Sequence, residues 1–236
     1  MKITGLQKMT LLDFPGRIAC TVFLQGCNFR CPFCHNSDLL EGEGQQTISV
    51  EELLSFLKKR KGMLDGVCIT GGEPTVQRDL PELLAQIKAL GYPVKLDTNG
   101  SNPAMLKKLV ADGLVDYVAM DIKNSPSRYP ETAGVPGLTM EKVEESIRFL
   151  LESNVNYELR TTVAQPLHSE KDMADMGAWL ESLCPGKIPG KLFLQYYVDR
   201  ESVLCAGFTP PGKEQMERYR EILAKSCGSV SIRGEE

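Results

Sequence analysis

An α/β fold built on a parallel sheet is the architecture this sequence predicts. Apolar β-branched runs alternate with stretches of helical periodicity along most of the chain. Polar, glycine-bearing motifs fall where those runs end, as expected at the ligand-binding edge of such a sheet. At 236 residues and 42% hydrophobic, the chain is long enough to bury one substantial core. Six strand–helix units are too few for a closed eight-fold barrel. The pattern therefore leaves a partial, open barrel or a doubly wound sheet.

Each element has its own local reason. Residues 18–24 form the first apolar run, and a cysteine-rich loop follows it. Ser49 with Glu52 makes a capping box ahead of Val50, Leu53, Leu54 and Leu57, one stripe at helical spacing. The second strand covers 66–70. Asp79 is placed to cap a helix carrying Leu80, Leu83, Leu84 and Ile87, which Gly91 ends. Strand 93–97 follows, then a helix opened by Asn102-Pro103, bearing Leu106, Leu109 and Val110 and stopped by Gly113. After strand 117–121, the Pro- and Gly-rich stretch 124–138 reads as a long loop. Thr139 opens a helix with Val143, Ile147, Leu150 and Leu151, and strand 157–163 succeeds it. Ser169 with Asp172 begins a helix bearing Met173, Met176, Leu180 and Leu183, ahead of strand 191–197. Residues 213–224 read as a last helix and 230–232 as a short strand. We expect one domain over 1–236, with its core at about 17–200 and an appended helix and strand at 213–233. No repeat or low-complexity tract interrupts this order.

Charge and cysteine usage narrow the function classes. A net charge of -4 argues against a broadly basic, nucleic-acid-binding surface. No apolar run approaches the roughly 18 residues that span a membrane, and the opening MKITGLQKMTLLDFPGR lacks a secretory core, so a cytoplasmic protein is expected. Eight cysteines then favour metal or redox chemistry over disulfides. Cys20 and Cys68 lie in apolar strands and read as small buried hydrophobes. Cys184, Cys205 and Cys227 have no metal-ligand spacing and read as scattered free thiols.

Cys27, Cys31 and Cys34 are different, because three thiolates held this close call for a cation between them. Structural zinc and iron–sulfur sites usually have four protein ligands. Three leave one metal position open for a small molecule. His35 could complete a Cys3His zinc site, although sharing one ion with the adjacent Cys34 is awkward. Three strand ends face the same edge: Gly71-Gly72-Glu73-Pro74, Asp97-Thr98-Asn99-Gly100 and Asp121-Ile122-Lys123. The glycines permit close backbone approach, and Glu73 offers an acceptor to an ammonium. These turns could also be ordinary ones that favour Gly, Asp and Asn for backbone reasons. Arg160 and Thr162 share a strand face, and an inward arginine suits a substrate carboxylate. Asp97 and Asp121 could form an acid/base pair or cap their loops. His168 and Gln195 near later strand ends are weaker candidates.

The CxxxCxxC loop, with Phe33 before its last cysteine, resembles the signature of the radical S-adenosylmethionine superfamily. Together with the three strand-end motifs it is similar to the activating enzymes of glycyl-radical proteins. Gly5-Leu6-Gln7-Lys8, the run from Leu12-Asp13 to Gly16-Arg17, and the segment from Gln25 to Asn36 are most similar to the longer anaerobic ribonucleoside-triphosphate reductase activating proteins. The resemblance implies a partial (β/α)6 open TIM-like barrel with the cluster loop after strand 1. It implies a [4Fe-4S] cluster on Cys27, Cys31 and Cys34, with S-adenosylmethionine chelating the fourth iron. One-electron cleavage then releases methionine and a 5′-deoxyadenosyl radical, which takes hydrogen from a partner glycine. Gly71, Gly72 and Glu73 would meet the methionine amino group. Phe33 and the backbone at Cys34 and His35 would flank the adenine. Asn99, Ile122, Lys123, Asn124, Arg160 and Thr162 supply the remaining cofactor contacts. Asp97, Thr98, the Ala119 carbonyl and Asp121 match a monovalent-cation site. Implied partners are a glycyl-radical enzyme, with the anaerobic reductase the closest match, and a one-electron donor of flavodoxin or ferredoxin type.

Overall fold

The computed structural model of the chain describes residues 1–40, 47–183, 190–200 and 202–234. Strands and helices alternate as predicted, and the strands follow one another in chain order, β1 to β8, in one sheet. The chain divides into two compact units, 1–28, 38–98 and 102–119 against 29–37, 99–101 and 120–236. Strand β5 (Tyr117–Asp121) crosses from the first to the second after Ala119.

In the first unit, β2 (Ala19–Leu24), β3 (Gly66–Gly71) and β4 (Val94–Thr98) are parallel. Val22, Leu24, Val67, Ile69, Val94 and Leu96 are fully buried there. Helices α1 (Val50–Lys59), α2 (Leu80–Ala89) and α3 (Pro103–Ala111) contribute Leu53, Leu57, Leu84, Ile87 and Leu109 to the core. The capping box forms: Glu52 N–H donates to Ser49 Oγ at 3.1 Å and Ser49 N–H to Glu52 Oε2 at 2.7 Å. Asn102 caps α3 through Met105 N–H. Asp79 does not cap α2. Its carboxylate receives the N-terminal ammonium at 2.8 Å instead, a partner from the far end of the sequence segment. The sequence also gives no warning of β1 (Ile3–Thr10), which pairs antiparallel with β2. The cysteine loop therefore follows the second strand of the chain, which is the first of the parallel ones.

In the second unit, β6 (Asn156–Val163), β7 (Leu192–Tyr196) and β8 (Val230–Arg233) are parallel, with Leu159 opposite Leu192 and Leu192 opposite Val230. The stretch expected to be a loop holds a short helix, α4 (Tyr129–Ala133), closed by Gly134 in the left-handed region. Helix α5 (Glu141–Glu152) starts later than Thr139, with Met140 at its N-cap. Ser169 and Asp172 bond reciprocally at the head of α6 (Glu170–Leu183). Helix α7 (Lys213–Leu223) and β8 complete the unit as expected. Buried Glu158 receives both Arg233 Nη atoms at 2.8 Å, and that guanidinium stacks 3.3 Å over the Phe193 ring. Among the described residues, no helix is long and apolar enough to cross a membrane.

Candidate cofactor site

The approach to the cysteine loop is built by backbone. Leu24 sits opposite Gly71 in the parallel ladder, and the pairing continues past the strand ends. Gly72 N–H donates to the Leu24 carbonyl at 2.9 Å, and Glu73 N–H to the Gly26 carbonyl at 2.8 Å. Gln77 Nε2 donates to the Gln25 carbonyl at 2.7 Å. A Cβ on Gly72 would collide with the Gly26 carbonyl, and one on Gly71 with the Leu24 backbone. Both glycines are thus required by the segment that leads into Cys27.

Glu73 is buried. Its Oε1 accepts from Thr75 N–H at 3.0 Å, Thr75 Oγ1 at 2.5 Å and Thr98 Oγ1 at 2.7 Å. Thr75 was not singled out from sequence, although Glu-Pro-Thr at a strand end is a turn signal. Asp97, one residue before Thr98, is ion-paired with Lys95 on the same strand face. Ala119 is fully buried on β5.

In the second unit, Cys34 N–H donates to the Cys31 carbonyl at 3.0 Å, closing the turn between these cysteines. Arg30 N–H donates to the Ala133 carbonyl at 2.9 Å, and a Cβ on Gly134 would collide with the Arg30 carbonyl. Phe33 is buried in an edge-to-face aromatic group, its centroid 6.5 Å from Tyr197 and 6.2 Å from Phe208. Cys205 N–H donates to the Pro32 carbonyl and Ser202 Oγ to the His35 carbonyl, at 2.9 and 2.6 Å. Tyr197 and Phe208 carry no local signal that links them to residue 33.

Asp121 is the electrostatic centre of this unit. Oδ1 accepts from Arg160 Nε at 3.0 Å and pairs with Arg160 Nη2 at 2.9 Å, while Oδ2 accepts from Lys123 Nζ at 3.1 Å. Burial alone would raise its pKa, but these two cations overturn that and hold the carboxyl far below the usual range. Lys123, likewise opposed by burial, is held charged by Asp121. Burial pushes the Cys31 thiol up, with the Lys123 ammonium working against it. His35 is pushed down by burial, then by Arg200 and Lys123.

Other expected contacts have structural work in this fold. Buried Asn124 donates from Nδ2 to Thr132 Oγ1 at 3.0 Å and to the Leu167 carbonyl at 2.9 Å, and its Oδ1 accepts from Ser125 N–H. Asn99 Oδ1 accepts from Ser101 N–H at 2.9 Å. Ile122 is buried, its N–H on the Arg160 carbonyl. Thr162 and Gln195 are register partners on β6 and β7, which places two separately nominated residues side by side. His168 is buried: Ala164 N–H donates to Nδ1 at 3.2 Å, and Nε2 lies 2.9 Å from the Lys123 carbonyl, to which it donates.

The scattered cysteines behave as expected where they can be placed. Cys20, Cys68 and Cys227 are buried free thiols and Cys205 is an exposed one; Cys184 lies outside the described residues. Among the described residues, no three His, Cys, Asp or Glu side chains converge tightly enough for a single ion. An iron–sulfur cluster makes a different demand, one thiolate on each of several irons. Cys27, Cys31 and Cys34 are all free thiols, Cys31 buried and the others half-buried, an all-sulfur donor set that suits iron–sulfur chemistry.

Comparison with known proteins places this loop in a family. Residues 21–180 match the model of the Radical SAM superfamily. A protein of Methanocaldococcus jannaschii assigned as a glycyl-radical enzyme activating enzyme is 34% identical over 181 residues, 74% of this chain and 73% of that one. The pyruvate formate-lyase 1-activating enzyme of Escherichia coli is 26% identical over 94% of both chains. The crystal structure of a domain of pyruvate-formate lyase-activating enzyme from Bacteroides vulgatus superimposes with a TM-score of 0.57 at 21% identity, covering 72% of this chain and 99% of that one. At that identity the last match speaks for the fold. With the cysteine loop, the strand-end motifs and the parallel sheet in place, the chain belongs to the Radical SAM superfamily of enzymes and is homologous to its glycyl-radical enzyme activating members.

Proposed function

We propose that the protein is an activase that installs a glycyl radical on an anaerobic ribonucleoside-triphosphate reductase. The carrying observation is the bonding of Gly72 and Glu73 backbone to Leu24 and Gly26, which ties an ammonium acceptor to the entry of the cysteine loop. The partner choice is supported by the resemblance of Gly5–Lys8 and of the run from Leu12 to Arg17. A formate-lyase type partner is the second reading, favoured by the Escherichia coli relative that matches over 94% of both chains.

In this reading Cys27, Cys31 and Cys34 hold a [4Fe-4S] cluster, and the whole of 1–236 acts as one domain. A cluster held there would supply one-electron reduction of bound S-adenosylmethionine, the chemistry by which a glycine of the partner would lose its hydrogen. Glu73, fixed through Oε1, orients the methionine ammonium. Arg160 and Lys123, already gathered by Asp121, receive the carboxylate. Asn99, Thr162 and its neighbour Gln195 serve the ribose end. Phe33 and the backbone at Cys34 and His35 line the adenine side and keep water from it, with Ile122 and Asn124 as further cofactor contacts. A flavodoxin or ferredoxin in the cytoplasm is the one-electron donor.

Anaerobic reconstitution with iron and sulfide, followed by reduction with S-adenosylmethionine, should release 5′-deoxyadenosine. Cys27→Ala, Cys31→Ala or Cys34→Ala should each abolish that release, while Cys205→Ala should preserve it. No nucleoside from a fully loaded cluster would sink the radical reading. Mixing with each type of glycyl-radical protein and recording the paramagnetic resonance of the glycyl radical then separates the two partners.

A further inference from the structure

Strand β4 carries a buried charge that the proposed chemistry does not use. Lys95 lies in an otherwise apolar run, is 2% exposed, and sets its ammonium against the Asp97 carboxylate. Its register partner on β3 is Cys68, whose Sγ lies 3.9 Å from Lys95 Nζ and 3.8 Å from Asp97 Oδ1. A lysine is rarely buried without a compensating charge, and here Asp97 supplies it. Asp121, within its own unit, is met by Arg160 and Lys123.

Both carboxylates expected to hold a monovalent cation are therefore already engaged by cationic side chains. An alkali-metal ion is held by oxygen ligands whose negative charge offsets its lost hydration, and a resident ammonium both neutralises that charge and repels a second cation. The donor set does not fit the implied ion. We propose that Lys95 is the built-in counter-cation of Asp97, so that this strand end needs no bound potassium or sodium.

The test compares wild-type protein with Lys95→Met, each exchanged into tetramethylammonium chloride. Thermal midpoints are read as potassium or sodium chloride replaces that salt at constant ionic strength. The wild-type midpoint should not respond to the replacement. Lys95→Met should melt lower in tetramethylammonium and recover saturably with potassium or sodium. A saturable, ion-specific rise in the wild type overturns the proposal. So does a Lys95→Met protein with no loss, or with a loss that neither ion recovers. Should Lys95→Met fail to fold, Lys95→Met/Asp97→Asn removes both charges and should melt indifferently to either ion; an ion-specific rise there also overturns it. These melts need neither cluster nor S-adenosylmethionine, so their outcome is independent of the activase assignment.

Discussion

His168 is held neutral in the folded protein, and this has a consequence in acid. Burial pushes its pKa below the ordinary 6.5, against the raising effect of its bonds to Lys123 and Ala164. The unfolded chain therefore binds a proton that the folded chain refuses as pH falls below about 6.5. Its contribution is fully present above that value and is lost on acidification toward the folded pKa, at up to about 1.4 kcal/mol per pH unit. Urea midpoints of wild type and His168→Gln should differ by a pH-dependent amount between neutral pH and moderate acid, the wild type falling more steeply. Parallel curves would show that His168 does not titrate on unfolding. The same residue marks a limit of sequence reading. Its place near a strand end marks it as no more than a weak site candidate, and its bond to the Lys123 carbonyl joins positions that only the folded chain brings together. Lys95 was equally visible as a charge in the strand VKLDT, on the face that Asp97 shares two residues on, yet nothing local said that it would be buried there.

Among elements, the pairing of β2 with β3 is what shapes the cysteine loop. Gly72→Ala would force a Cβ into the Gly26 carbonyl, and such overpacking costs about 1–3 kcal/mol. The expected result is a lower urea midpoint together with reduced iron retention after reconstitution. Iron retained at wild-type level would show that the loop tolerates the shift. Strand β8 is anchored by charge: Arg233→Met takes the Arg233 guanidinium away from buried Glu158, a loss of up to about 3 kcal/mol, the low end of the usual range because Arg233 is a third exposed. Glu158→Gln/Arg233→Met should restore much of that loss in the same denaturation measurement. Helix starts with local caps were legible, as Ser49–Glu52 and Asn102 demonstrate. Asp79 was not, because the N-terminal ammonium took its carboxylate. Strand β1 escaped because most of its residues are half- or fully exposed and its signal is the long-range register with β2.

At the scale of the whole molecule, the parallel α/β fold was legible because its signal repeats six times, and any one ambiguous run is corrected by its neighbours. The candidate site was legible in the residues that stand in contiguous motifs and opaque in Tyr197, which meets Phe33 from far along the chain; Thr75 and Lys95 bond residues only two positions away, but their burial has no local signal. Cysteine placement gives the last prediction. Among the described residues, Cys20, Cys68 and Cys227 are buried outside any disulfide and Cys205 is exposed, so the loop is the one compact sulfur set there. Reconstituted protein should carry about four iron and about four sulfide per chain. Iron well above that figure by chemical assay would require a second cluster and overturn the single-cluster assignment.

The aromatic group around Phe33 also bears on biosynthesis. Tyr197, Phe208 and the Cys205 amide that meets Pro32 all leave the ribosome long after the three cysteines do. A nascent chain exposes its thiols well before the residues that will pack their loop exist. An unfinished chain, whose cysteines lack that packing, is therefore more open to oxidation in air than the folded protein.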